Sequence, residues 1–144
     1  MSINYIEINK RALDLLLSVK KHVYSIDKGL NALVEIRVSQ INGCAYCVDL
    51  HSQEARASGV PQQLLDCLPV WKESQLFSFK ELAALEWAES VTNISTETNI
   101  EGKLETLLLH FNETEVVDLA LVISVMDSLN RLAISFGDKP PKRA

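Results

Sequence analysis

A chain of 144 residues, 47% apolar and 23% charged, is long enough to bury one core without a structural metal or cross-links. Its net charge of −5, with no local stripe of Lys or Arg, excludes a nucleic-acid binder. The most apolar run, Leu119 to Met126, is interrupted by Ser124 and falls far short of the ~20 residues a bilayer crossing needs, so no membrane partner is expected.

Apolar spacing is helical nearly everywhere. Ala12, Leu13, Leu16, Leu17 and Val23 place a stripe on a first helix, about 9–24. Asp27 caps a second helix running to about Gln40, and Asn42-Gly43 then breaks the pattern. Asn42 is the natural N-cap of a third helix, from Gly43 to about Ser58, which Gly59 and Pro61 stop. A short helix spans 61–68. Ser78 and Glu81 form a capping box that opens a helix to about Thr92. Ile100 to Phe111 reads as another. Asn112 and Glu115 repeat the cap and start a long last helix to about Phe136, closed by Gly137. The expectation is an all-α, single-domain bundle of about six to seven helices over 1–144. Its motif-bearing core is 27–93, and 138–144 forms a flexible, solvated tail.

The last helix is apolar almost all round, from Val116 and Val117 to Val125 and Met126. Such a helix must be covered on every side, which a chain of this size struggles to do alone. A homo-oligomer is therefore expected, the alternative being a single bundle with this helix at its centre.

The informative stretch is Cys44-Ala45-Tyr46-Cys47-Val48-Asp49-Leu50-His51. At about 100° per residue, Cys47 lies ~60° from Cys44 around a helix, with His51 between them. Two thiols and an imidazole thus share one face. A thiolate is the reactive form, and a free thiol with a pKa of about 8.5 is mostly protonated at neutral pH. Cys44, near the helix start, gains from the macrodipole, while Cys47 has His51 one turn on as a base. One cysteine can attack a peroxide and its neighbour condense with the resulting sulfenic acid. Three cysteines are an odd number, and Met1 to Asn9 lacks the pattern of an export signal, so reduced thiols in a cytoplasmic setting are expected rather than structural disulfides.

The same stretch resembles a known family. Leu33 to His51 (LVEIRVSQINGCAYCVDLH), Ala55 to Gly59, Glu81 to Glu89 and Asn130 to Ala133 look like the carboxymuconolactone decarboxylase superfamily in its alkylhydroperoxidase D-like branch. That resemblance implies an all-helical subunit, assembly into trimers or hexamers, and disulfide-linked peroxidase or reductase activity in antioxidant defence. It makes Cys47 the attacking thiol, Cys44 the resolving one and His51 part of a proton relay, without metal or other cofactor. The helix dipole alone would favour Cys44 as the more acidic thiol. Two positions depart from the branch. The relay glutamate falls on Ala32, with Glu35 one turn further as a substitute. A histidine before the second cysteine is replaced by Tyr46, a poor base at neutral pH. The implied substrate is a small hydroperoxide or a disulfide, and the implied reductant is a thioredoxin-like or lipoyl protein.

Other classes compete. Lactone decarboxylation, the activity that names the superfamily, does not need paired thiols. A zinc site on Cys44, Cys47 and His51 needs a fourth ligand, such as Cys67, His22 or His110. A purely structural oligomerisation module needs no chemistry at all. Cys67 reads as core filler, His22 and His110 as structural or surface residues, and Trp71, Phe77 and Phe79 as packing or as a pocket wall. Asp127 and Asn130, at i,i+3, are suited to capping or cross-linking helices or to contacting a neighbouring subunit, and the sequence alone does not choose among these.

Overall fold

The computed structural model describes residues 2–144, and its secondary structure is helical, with no strand among the described residues. The helices are α1 (Tyr5–Ile8), α2 (Lys10–Ser18), α3 (Lys28–Asn42), α4 (Ala45–Ala57), α5 (Gln62–Cys67), α6 (Trp71–Ser74), α7 (Phe79–Thr92), α8 (Ile100–Leu108) and α9 (Glu113–Ser135). Both capping boxes form as the sequence predicts. The side-chain oxygens of Ser78 and Asn112 accept from the backbone N–H of Glu81 and Glu115, whose carboxylates accept in return.

Three boundaries differ from the expected ones. The first helix is not continuous to Tyr24. A single turn, α1, precedes it, and after Ser18 the chain tightens into a 3₁₀ turn over Val19–His22. The eighth helix stops at Leu108. At the third boundary, Asn42 is the last residue of α3 rather than the N-cap of α4. Gly43 adopts φ 75°, the left-handed conformation that an L side chain resists. Its N–H reaches the Gln40 carbonyl at 3.2 Å, and the Cys44 N–H reaches the Ser39 carbonyl at 3.0 Å. That pair of bonds is a Schellman closure. The backbone of Cys44 therefore ends α3, while its extended conformation makes it the N-cap of α4.

The enclosed helix is α3. Leu30, Ala32 to Ile36, Val38 and Ser39 are all buried, because α4, α7 and α9 pack around it. One side of α3 meets α7 and α9 in a cluster that includes Val34, Val38, Ala84, Leu119 and Met126, with Leu107 of α8 in the same core. The other side meets Ala55, Leu68, Trp71, Phe77 and Leu85. The long apolar helix α9 buries Val116, Leu119, Val122, Ile123, Val125 and Met126 but leaves Val117 57% and Leu121 41% exposed. Trp71 and Phe77 are core residues, and Phe79 is exposed. The Trp71 indole N–H donates to Glu89 at 2.7 Å, satisfying the polar edge of a buried ring.

A polar seam fastens the C-terminal end of α3 to α9. Asn42 donates its amide to Asp127 at 2.8 Å and to Asn130 at 3.0 Å, and Asn130 donates to the Ser39 hydroxyl at 3.0 Å. Burial raises the Asp127 pKa, opposed by the Asn42 hydrogen bond and by Arg131. A carboxyl with a raised folded-state pKa holds its proton more tightly folded than unfolded. Its contribution therefore favours folding at low pH and is lost as pH rises through the folded value. Asp127→Asn is expected to match the wild-type urea midpoint below the carboxylate range and to exceed it at neutral pH.

Near the C-terminus, Phe136, Asp138 and Arg143 make side-chain contacts with the rest of the chain. The Tyr5 hydroxyl donates to Asp138 at 2.6 Å, and the Tyr5 ring stacks on Phe136 with centroids 4.9 Å apart. Burial pushes the Tyr5 hydroxyl well above the usual phenol range, aided by Asp138 and the neighbouring Tyr46. Arg143 grips Asp49 on α4 with two guanidinium nitrogens.

Candidate active site

The Schellman turn at Gly43 brings the sulfurs together. Cys44 and Cys47 are joined in a disulfide with Cα atoms 5.3 Å apart. The Cys47 N–H donates to the Cys44 sulfur at 3.3 Å, so Cys44 uses its side chain as the cap of α4. A sulfur at a helix N-terminus, facing an unpaired N–H, is where negative charge is best supported. Both cysteines are buried, Cys44 1% and Cys47 4% exposed, and pack against Ala133 of α9 with Tyr46 alongside. Cys44 is thus no more exposed than its partner. It does line an open groove of about 560 Å³ between the end of α3 (Ser39, Gln40) and the α4 stripe Ala45, Val48, Asp49, Ser52 and Arg56; Cys47 does not line it.

His51 follows Cys47 by one turn and is 5% exposed. Its Nδ1 lies 2.9 Å from Glu54 Oε2 and 3.4 Å from Glu35 Oε2. Carboxylates only accept, so this arrangement puts the ring proton on Nδ1 and leaves Nε2 as the lone-pair nitrogen of the neutral ring. Glu35, on the enclosed α3, is buried, and Lys20 from the 3₁₀ turn donates to the same Oε2 at 2.7 Å. Ala32, where the branch's relay glutamate falls, is a buried core residue one turn earlier.

The structure thus pairs Cys44 with Cys47 at the start of α4, with Tyr46 beside the sulfurs, and pairs His51 with Glu35 where the middles of α4 and α3 meet. Sequence reasoning missed Glu54 and Lys20. Glu54 stands three residues after His51 and its helical spacing was a readable signal. Lys20 lies 15 residues upstream of Glu35 across a turn, and no periodicity reports which helices will pack. His22 and His110 are exposed, and Cys67 is a half-buried free thiol. Among the described residues, no three His, Cys, Asp or Glu side chains are grouped to hold a metal ion. No helix among them is long and apolar enough to cross a membrane.

Residues 10–90 match the model of the carboxymuconolactone decarboxylase family. The chain is 34% identical over 139 residues to the uncharacterized protein YdfG of Bacillus subtilis, covering 95% of each. Among solved structures it is similar to ATU0492 of Agrobacterium tumefaciens, a protein of unknown function named as a candidate antioxidant defence protein AhpD. There the identity is 31%, the TM-score 0.93 and the coverage 99% of both chains. A peroxidase-related, AhpD-core protein of Ralstonia eutropha JMP134 shares the fold at TM-score 0.83 and 22% identity, over 95% of this chain and 74% of the other.

Proposed function

Because the chain belongs to the carboxymuconolactone decarboxylase family, in its AhpD-like branch, we propose that it is a cysteine-based peroxidase that cycles Cys44 and Cys47 between dithiol and disulfide. The observation that carries this reading is the pairing of the two sulfurs one helical turn from a histidine whose Nδ1 is hydrogen-bonded to Glu54 and stands 3.4 Å from Glu35.

In the reduced protein His51 Nε2 takes the Cys47 proton. The Cys47 thiolate attacks the outer oxygen of a hydroperoxide, the O–O bond breaks, and the departing alkoxide takes a proton from the His51 imidazolium to leave as an alcohol. Cys47 is then a sulfenic acid. The Cys44 thiolate attacks the Cys47 sulfur, the S–O bond breaks, and hydroxide leaves as water with the proton that Cys44 gave up. One hydroperoxide and two thiols become one alcohol, one water and one disulfide. An external dithiol of the thioredoxin or lipoyl class returns two electrons and two protons. Glu54, as the hydrogen-bond acceptor of Nδ1, fixes the ring tautomer, and its half-exposed carboxylate gives the ring proton a route to solvent.

Stoichiometric hydroperoxide on the fully reduced protein is expected to consume the Cys44 and Cys47 thiols, leave Cys67 free and lower the intact mass by two hydrogens, all reversed by dithiothreitol. Thiols that survive mild peroxide overturn the reading. A second reading, exchange with another disulfide led by Cys44, is supported by the groove that Cys44 lines and Cys47 does not. It predicts that a disulfide substrate, and no peroxide, is turned over. Lyase activity on a lactone retained after serine replaces both cysteines would instead favour the chemistry that names the family.

A further inference from the structure

Glu35 Oε2 is shared unequally. Lys20 Nζ approaches it to 2.7 Å, a charge-assisted distance, whereas His51 Nδ1 stands 3.4 Å away. Glu35 is buried, so its charge has little solvent to spread into. Left without Lys20, its nearest cation would be a protonated His51, and the carboxylate would draw the ring toward imidazolium. An imidazolium has no lone pair with which to accept the Cys47 proton. Glu54, the hydrogen-bond partner of Nδ1 at 2.9 Å, is 52% exposed at its side chain, so its charge is screened by water as that of Glu35 is not.

We propose that Lys20 is a positioning residue that, by neutralising Glu35, keeps His51 as a neutral base with Nδ1 protonated and Nε2 free. This rests on the assignment of His51 as the base in thiol chemistry. The geometry that supports it is a cation brought in from a separate 3₁₀ turn, 30% exposed at its side chain, onto an otherwise buried carboxylate.

The test is the ¹⁵N spectrum of the His51 ring at pH 7 in wild type, Lys20→Met, Lys20→Arg and the Lys20→Met/Glu35→Gln double variant, each oxidised and reduced. Wild type is expected to show one protonated and one bare ring nitrogen. Lys20→Met keeps most of the stem and loses the charge, and should raise the imidazolium-to-neutral ratio about tenfold or more. Lys20→Arg, and the double variant that removes both charges, should return the neutral pattern. In parallel, Lys20→Met should shift the pH profile of Cys47 turnover to the alkaline side. A Lys20→Met ring spectrum identical to wild type, or a Lys20→Arg variant that behaves like Lys20→Met, overturns the proposal. The ring spectrum needs no turnover. A protein that fails to consume peroxide yet shows these spectra refutes the peroxidase reading and leaves the role of Lys20 standing.

Discussion

Cys47→Ser is expected to abolish hydroperoxide consumption, by on the order of 10³-fold or more, while Cys44→Ser completes one turnover and stops. The asymmetry follows from where each sulfur sits. Cys47 lies inside α4 with His51 one turn further on, so under the proposed reading it is the thiol with a base in helical register. Cys44 sits outside the helix with the Cys47 N–H on its sulfur, an arrangement that supports a thiolate with no base at all. A thiol of that kind suits the second step, in which a standing thiolate must reach a sulfenic acid before more peroxide does. Cys44→Ser should therefore accumulate sulfenic acid at Cys47, trappable by dimedone, and progress to sulfinic acid under excess peroxide. Intact mass after a timed exposure distinguishes the two variants. If Cys47→Ser forms the dimedone adduct at Cys44 and Cys44→Ser is inert, the roles are reversed, and the helix-terminus argument outweighs the imidazole.

The sequence made the helices legible wherever a side chain does the capping. Ser78 with Glu81, Asn112 with Glu115, and Asp27, whose carboxylate accepts from the N–H groups of Gly29 and Leu30, all act where their residue types predict. It misled at Asn42. Asparagine is a preferred cap and cysteine is not, yet the left-handed turn at Gly43 hands the capping position to Cys44. The cysteine pair and His51 could be read from spacing within one helix. Glu35 could be placed only through a family pattern, and Lys20 not at all. Its role depends on a 3₁₀ turn folding back onto α3, a contact between segments that no local period encodes. The first helix was over-extended for a related reason: its apolar stripe continues through Val23, but the backbone tightens after Ser18.

Asn130→Asp is expected to be the most destabilising of the single-atom changes available near the site, by about 3–5 kcal/mol at neutral pH. Asn130 is fully buried, and each end of its amide has a partner. Oδ1 accepts from Asn42, and Nδ2 donates to the Ser39 hydroxyl. An aspartate keeps the first bond and reverses the second. The Ser39 hydroxyl already donates to the Glu35 carbonyl at 2.8 Å, so it has no proton left for a second acceptor, and the new oxygen faces an oxygen. The added charge shares the Asn42 amide with the Asp127 carboxylate, a like-charge neighbour, and Arg131 is the weakest of the influences acting on that carboxylate. Both effects raise the folded-state pKa of the new carboxyl above its unfolded value. The penalty is therefore present in full at neutral pH and relaxes as pH falls through the folded value, where protonation removes the charge and supplies a donor. Asn130→Ala has no such dependence and should cost about 2–3 kcal/mol, from an emptied volume and the lost bonds to Ser39 and Asn42. Urea unfolding at neutral and acid pH separates the two. Asn130→Asp should be the less stable variant at pH 7 and should approach or pass Asn130→Ala in acid. A pH-independent gap would mean that water, or a rearranged Asn42, reaches the new carboxylate and that the seam joining α3 to α9 is not sealed.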